Sequence, residues 1–344
     1  MKKLFVVLII VAIITGIGLI FNKVLFKKEL DLELFGVDCP NILVPVDSQG
    51  LIFDAKIICN IMKKFNLQSK NRLIMEGYYG YINLEPDDFL FVNLDWTPLN
   101  EIPDNLVCKT RQAYDILKTN FKNKNVIYTG FTSEDRLKDG YSMDYNKLIH
   151  MAGKSPFKGT IELVNCWINH PELPVLTIKT YKGVTSTVKK LLDGKSVQNI
   201  IVNDAFLSDD KIDELYNTYG IHICCSYNEG WGHYIAEAKS CKAVVLYTDA
   251  PSMNETFING HDGIGINCDQ RPADYTNKGL CPYYQVKEND IVNAVKKVMA
   301  LSLDERRIIG NNARSRFLEN DIQFENNLIN LIPTEPLPPE LGVL

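Results

Sequence analysis

The chain has 344 residues, 46% hydrophobic and 23% charged, which are the proportions of a folded protein long enough for two domains. A net charge of −5, with no basic stripe interleaved with aromatics, excludes general attraction to nucleic acid. Nine cysteines contain no C-x2-C pair, so a zinc or dithiol redox motif has no support. Cys59, Cys108, Cys166, Cys224 and Cys225 lie in apolar segments and read as reduced, buried small hydrophobes, which points to a reducing compartment.

Residues 4–21 are an uncharged apolar run between Lys2-Lys3 and Lys23, Lys27 and Lys28. At 1.5 Å per residue such a run crosses a bilayer core of ~30 Å. Its length, and the poor small-x-small exit after it, favour an uncleaved signal anchor and a single-pass membrane protein. Lysines flank both ends almost equally, so charge leaves the orientation open. After a linker at 29–39, residues 41–46 read as a strand, 47–50 as a turn and 53–65 as a helix. Strands follow at 72–75 and 89–93, residues 106–110 lead into a helix at 111–121, and another strand follows at 126–129. Short apolar strands alternating with helices describe a Rossmann-like half. Ser48 and Gly50, in the turn after the first strand, offer a hydroxyl and backbone amides to a phosphate or simply make a turn. Asp95, beside Asn93 at the end of a later strand, is an acceptor-side candidate or a turn cap.

A second series begins with a strand at 148–152, a glycine-bounded loop at 153–159 and a helix at 160–169. Strands at 175–180 and 200–203 continue it, and Ser208-Asp209-Asp210 caps a helix running to 219. Residues 221–255 then give a buried strand, a break at Asn228-Glu229-Gly230-Trp231-Gly232, a short helix through Tyr234, Ile235 and Ala238, and a buried strand at 243–247. Strand, glycine loop, helix and strand in this order belong to a parallel α/β sheet, in which ligands sit at the carboxyl ends of the strands. Glu229 and Glu237 are eight positions apart, roughly 80° around a helix, so both can face one cleft. Residues 267–284 are rich in turn formers and suit a lid or an assembly surface. A helix at 290–299, a capping box at 302–305, a further helix at 321–331 and a proline-rich tail complete the chain. His233 and His261 carry no assignment.

The string Glu-Gly-Trp-Gly at 229–232, Glu237-Ala238 and Asn254-Glu255 resembles the donor-site signature of retaining glycosyltransferases of the GT-B fold, group 1 or family 4 type, with Glu229 and Glu237 as the E-x7-E pair. The AGKSPFKGT string and the Lys/Asn/Ile-rich wording are similar to glycosyltransferases of large DNA viruses. The resemblance implies two Rossmann-like domains facing a cleft, preceded here by a transmembrane helix. Its divisions are an anchor at 1–28, an acceptor domain at 29–130, a donor domain at 131–320 and a C-terminal helix and tail at 321–344. Glu237 would hold the nucleotide ribose and Glu229 the donor sugar. Lys154 and Lys158, in the loop with Gly153 and Ser155, would neutralise the diphosphate, and Gly230, Trp231, Gly232, Asn254 and Glu255 would line the donor.

Three positions depart from the family pattern: Cys225 replaces a proline, and Lys242 and Ala243 replace a glycine and a proline after the helix. The implied activity is metal-independent transfer of a sugar from a nucleotide-diphosphate sugar to a glycan, lipid or protein, with no cofactor. No Asp-x-Asp motif is present, so a divalent ion is not expected to be essential. The rival readings are a sugar-nucleotide epimerase or phosphorylase on the same frame, and a non-catalytic, membrane-tethered binding protein. Asn254-Glu255-Thr256 is a glycosylation sequon inside the donor loop, where a glycan would block the site, and this favours a cytoplasmic catalytic domain.

Overall fold

The computed structural model describes residues 37–45, 48–76, 83–95, 97, 99, 102–271 and 280–332. The expected membrane span at 4–21 and the tail from 333 lie outside these residues. No helix among the described residues is long and apolar enough to cross a membrane.

Two parallel sheets form the body of the protein. In the first, β1 (Ile42–Leu43), β2 (Leu73–Met75), β3 (Phe89–Val92), β4 (Asn105–Cys108) and β5 (Asn125–Tyr128) pair in chain order. The two-residue period of a strand sorts their side chains. Leu73, Met75, Phe89, Phe91 and Val107 face a core shared with helix α1 (Gln49–Lys64). Ile74, Leu90, Val92, Leu106 and Cys108 face a second core, shared with α2 (Arg111–Asn120). Helix α1 begins four residues earlier than its apolar spacing suggests, so Gln49 and Gly50 form its first turn and Ser48 its N-cap.

The second sheet takes β6 (Asp144–Gly153), β7 (Leu176–Thr180), β8 (Ile200–Asn203), β9 (Tyr219–Cys224), β10 (Val244–Thr248) and β11 (Ile264–Ile266) in the order β11-β10-β9-β6-β7-β8. Helices α3 (Thr160–Asn169), α4 (Gly183–Leu192), α5 (Asp209–Thr218) and α6 (His233–Ser240) make the crossovers. Helix α4 lies where the sequence analysis assigns no element, although Val184, Val188, Leu191 and Leu192 stand at helical spacing. It forms because Val184 and Val188 bury against the sheet. Lys242 takes the left-handed conformation (φ 65°) that ends α6, where a glycine would be unstrained.

Part of the turn-rich stretch at 267–284 forms an antiparallel hairpin of β12 (Cys268–Arg271) and β13 (Tyr283–Val286), followed by α7 (Glu288–Ala300). The helical sequence at 302 and at 321 is one helix, α8 (Leu303–Leu331), opened by the Ser302–Glu305 capping box. Its 29 residues contain no proline and one glycine, so nothing breaks it. Its first half packs Ile309 and Ala313 on the second domain, and its second half delivers Phe324, Leu328 and Leu331 to the core of the first. Gly310 lets α8 lie against the end of α6, since a Cβ there would stand 2.0 Å from the Lys242 carbonyl oxygen. Gly310→Ala is expected to lower stability by about 1–3 kcal/mol, through overpacking against backbone that cannot yield. Denaturant unfolding checks this, and an unchanged midpoint would show that the two elements can separate freely.

The cysteines need one correction. Cys59 is not a reduced thiol but is disulfide-bonded to Cys39, which ties the segment before β1 to α1. Cys39 sits in a linker with no apolar period, so nothing in the spacing links the two. The other seven are free, and all but Cys268 are buried. Disulfides persist in oxidising compartments, so this pair does not support the reducing environment expected from composition.

Candidate functional site

The second sheet changes direction between β6 and β9, because the chain runs outward through β7 and β8 and then returns to the other side of β6. Parallel sheets open a crevice at such a switch point, between the loops leaving the two central strands. Here those loops are 153–159 after β6 and 225–232 after β9, the two stretches singled out in sequence. The carboxyl edge of the first sheet faces them. Gly230 makes the approach possible, since a Cβ on it would lie 2.5 Å from the Asn93 amide nitrogen.

Within the crevice Lys158 and Glu229 meet directly. The ammonium donates to Glu229 Oε1 at 2.9 Å and stands 3.5 Å from the centre of the Tyr234 ring. The Ser226 hydroxyl donates to the same Oε1 at 2.5 Å, and the Ser252 hydroxyl donates to the Glu229 carbonyl at 2.5 Å. An ammonium has three donors, so one remains for an incoming anion. Lys154 is exposed at the loop's outer end, 5.5 Å from the Tyr181 ring centre, with no ion pair among the described residues.

Helices α3 and α6 both start in this crevice, from Gly159 (φ 68°) and Gly232 (φ 89°), and no side chain caps either. A helix start leaves amides without partners and a partial positive charge, which together suit an anion. Gly159 is required by contact as well as by its backbone angle, since a Cβ there would sit 2.2 Å from the Cys225 carbonyl oxygen. His150 pins α3 to β9 from beneath, with Nδ1 2.7 Å from the Ile223 carbonyl and Nε2 2.9 Å from the Thr160 hydroxyl. Burial brings its pKa down to about 4, so it serves as a neutral strut.

The other sequence candidates are placed as follows. Gly153 ends β6 at φ 58°, and the Ser155 hydroxyl accepts from the Phe157 amide at 3.3 Å. Glu237 does not share a partner with Glu229 or Lys158. It pairs with Arg136 at 2.9 Å and accepts from the Tyr216 hydroxyl at 2.7 Å. Burial works against the Arg136 charge, but Glu237 and Asp213 beside it keep its pKa above the ordinary arginine value. Asn254 donates to Asp249 at 3.0 Å. Glu255 reaches across to the first domain, where its oxygens accept from the Arg111 and Gln112 amides at 2.6 and 2.7 Å, the start of α2. The Trp231 indole donates to the Ser133 hydroxyl at 3.1 Å. Ser48 is the N-cap of α1 and Gly50 lies in its first turn. Asp95 does face the crevice, accepting from the Asn228 amide through both oxygens at 3.0 and 2.9 Å. Burial, with Glu229 and Glu76 nearby, raises its pKa to about 6.

Several residues with no sequence signal complete the arrangement. Lys109, after β4, is buried between Asp54 (2.8 Å) and Glu76. Glu76 accepts from Asn93 at 3.0 Å, and Asp54 also meets His233 Nε2 at 2.8 Å, the first residue of α6. Despite their burial, these charges hold one another in place: Asp54 stays below the usual carboxylate range and Lys109 above the usual ammonium value. The network carries the carboxyl edge of the first sheet onto the start of α6. Strand-end positions were the only clue to Glu76, Asn93 and Lys109, and none pointed to Asp54 or His233 on their helices.

Comparison with known proteins agrees with this fold. Residues 182–316 match a family model described as "Glycosyl transferases group 1", well under half of the chain. No curated protein matches in sequence. The chain resembles a glycosyltransferase from Rickettsia africae (15% identity, 83% of this chain and 81% of that one, TM-score 0.55). It also resembles a mutant of S. aureus TarM in complex with fondaparinux, α-GlcNAc-glycerol and UDP (12% identity, 80% and 58% of the two chains, TM-score 0.59). A third is the pneumococcal O-GlcNAc transferase GtfA with UDP and GlcNAc (17% identity, 81% and 60%, TM-score 0.53). These likenesses show a shared fold of two facing Rossmann-like domains, the GT-B architecture. The chain therefore has a GT-B-like fold, and its residues 182–316 match the group 1 glycosyl transferase model.

Proposed function

We propose that the chain is a membrane-anchored, retaining glycosyltransferase that moves a sugar from a nucleotide diphosphate to a glycan, lipid or protein acceptor. The observation that carries this reading is the convergence of Lys158 and two uncapped, glycine-started helices at one switch point, opposite the carboxyl edge of a second sheet. Such an arrangement suits a diphosphate on one side and an acceptor on the other. The UDP bound in TarM and GtfA is consistent with a nucleotide donor here. The anchor rests on the apolar run at 4–21.

In this mechanism Lys158, Lys154 and the amides at the start of α3 and α6 stabilise the leaving diphosphate, and such preorganised donors supply most of the effect in group transfer. Glu229 keeps Oε2 for a donor hydroxyl while Oε1 holds Lys158 and Ser226. Glu237, already oriented by Arg136 and Tyr216, retains lone pairs for ribose hydroxyls. The acceptor oxygen bonds to the anomeric carbon on the face the diphosphate leaves, and its proton passes to the departing phosphate oxygen. No divalent ion is needed for these steps. Asp95, on the facing domain, receives the acceptor hydroxyl.

Asp95 gives the reading a pH signature. Its folded pKa of about 6 lies above the ordinary 3.8, so the folded state holds an extra proton between these values. Stability attached to this group is present below that window and lost as pH rises through it. Transfer is expected to rise as Asp95 ionises near pH 6, and Asp95→Asn to flatten that limb while raising the melting temperature at pH 7 but not at pH 4. A pH profile of transfer and melting measures both.

One observation favours a non-catalytic binding protein: Lys158 and Glu237 are already paired with protein groups. Slow hydrolysis of a nucleotide sugar, released with retained anomeric configuration and abolished by Glu229→Ala, decides for the transferase. Binding without turnover of any donor decides against it.

A further inference from the structure

Lys239 is the one lysine of α6 turned wholly inward, 1% exposed, and no carboxylate is within ion-pair distance of it among the described residues. Its ammonium donates to the Thr256 carbonyl at 2.5 Å and lies 3.2 Å from the Thr256 hydroxyl. It stands 4.1 Å from the centre of the Phe257 ring, which stacks on Tyr247 with centroids 3.9 Å apart. Burying a cation in this way is costly, and carbonyl oxygens and an aromatic face offset the cost only in part.

The segment that Lys239 holds is the one that follows Glu255. On its other side Thr256, Phe257 and Ile258 form a wall of a cavity of ≈ 340 Å³, whose far walls are the linker at 129–131 and Arg316 of α8. The segment meets α6 through Lys239 and the sheet through Tyr247, and its Ile258 amide donates to Asp262 of the same loop. Glu255, one residue upstream, reaches from this segment to the first two amides of α2 in the other domain. A side chain that fixes Thr256 thus fixes where the Glu255 carboxylate can reach.

We infer that Lys239 is a positioning residue. Its ammonium anchors Thr256 and so holds Glu255 on the start of α2, and the grip between the two domains weakens when Lys239 gives up its proton. This inference does not depend on the transferase reading. The charged groups facing Lys239 are Asp262 from the same loop, which favours the ammonium, and Arg316 and Glu319 from α8, which oppose and favour it respectively. Asp262 is itself engaged by Arg316 at 3.2 Å. Burial dominates and brings the lysine to about 7, so the loss of the proton falls in the physiological range. A neutral amine still donates a hydrogen bond but loses the charge assistance and the attraction to the Phe257 ring.

Native-state hydrogen exchange of the full chain at the Arg111 and Gln112 amides, between pH 6 and 8.5, tests this directly. After correction for the intrinsic rate, wild-type protection is expected to fall about tenfold as pH passes 7, the loss expected when a charge-assisted bond becomes a neutral one. Lys239→Met is expected to give the low, pH-independent protection at every pH, and Glu255→Gln to match it. The Lys239→Met melting temperature should be equal or higher, because a buried charge has been replaced by an apolar group of similar length. A residue with only a packing role would show the reverse, a lower melting temperature with unchanged protection at these two amides. That result, or flat wild-type protection across the range, overturns the inference.

Discussion

Lys109→Ala is expected to destabilise the protein by about 3–5 kcal/mol, the usual cost of stranding buried charges without their partner. Lys109 is 3% exposed in its side chain, and its neighbours Asp54 and Glu76 are 3% and 10% exposed, so water cannot compensate for the missing cation. At ~2–4 °C per kcal/mol the melting temperature falls by roughly 10 °C. The triple replacement Asp54→Asn, Glu76→Gln and Lys109→Met should recover most of this loss, because no net charge is then left buried. The sign of the pH dependence follows from Asp54, whose folded pKa lies below its ordinary value. Its contribution is present above pH ~4 and is lost as pH falls through the depressed value. Thermal unfolding of the single and triple variants at pH 7 and pH 4 measures each effect. A single variant within 1 °C of wild type would mean that the network is open to solvent.

Lys158→Met is expected to reduce turnover of a nucleotide-sugar donor by about 10²–10³-fold, the loss measured when one preorganised group is removed from a site of developing charge. The substitution has two local effects. It removes the donor left over for phosphate, and it frees Glu229 Oε1, leaving a carboxylate held only by Ser226 beside a diphosphate. Repulsion between these anions should raise the dissociation constant for the nucleotide diphosphate as well. Lys158→Arg keeps the charge but puts a longer planar fork where a compact ammonium sits over Tyr234, so it should restore binding more fully than turnover. Steady-state kinetics with calorimetric titration of the nucleotide separate the two. Equal activity in Lys158→Met and wild type would remove this loop from the mechanism.

How much of this was legible in the sequence depended on whether the cause was local. The break at 228–232, the loop at 153–159 and the capping box at Ser302 are written in a few neighbouring residues, and all three stand where the pattern puts them. The continuity of α8 was harder to see because its buried face changes partner along its length, from the second domain to the first, which blurs the apolar period. The pairing of Glu237 was hidden for a different reason. Its partner Arg136 lies 101 residues away in the polar stretch SEDRLKDG, which looks like exposed loop. Glu76 and Lys109 were likewise separate polar residues at the ends of apolar strands and Asp54 a lone acid inside α1, and only strand pairing and the packing of α1 on the sheet bring them together. Cys39 and Cys59 belong to the same class. Contacts between distant segments carry charge and sulfur chemistry here, and single-sequence periodicity does not report them.

The crevice between β6 and β9 is proposed to bind a nucleotide diphosphate. Thermal unfolding of the full chain against uridine, guanosine, adenosine and cytidine diphosphates tests it most directly. A ligand at 100 times its dissociation constant adds ~2.7 kcal/mol, which is a shift of several degrees. The account predicts such a shift with one base, retained in Asp95→Asn on the acceptor side and lost in Lys158→Met. A cooperative transition that none of the four nucleotides moves, or a shift that survives Lys158→Met unchanged, would contradict it.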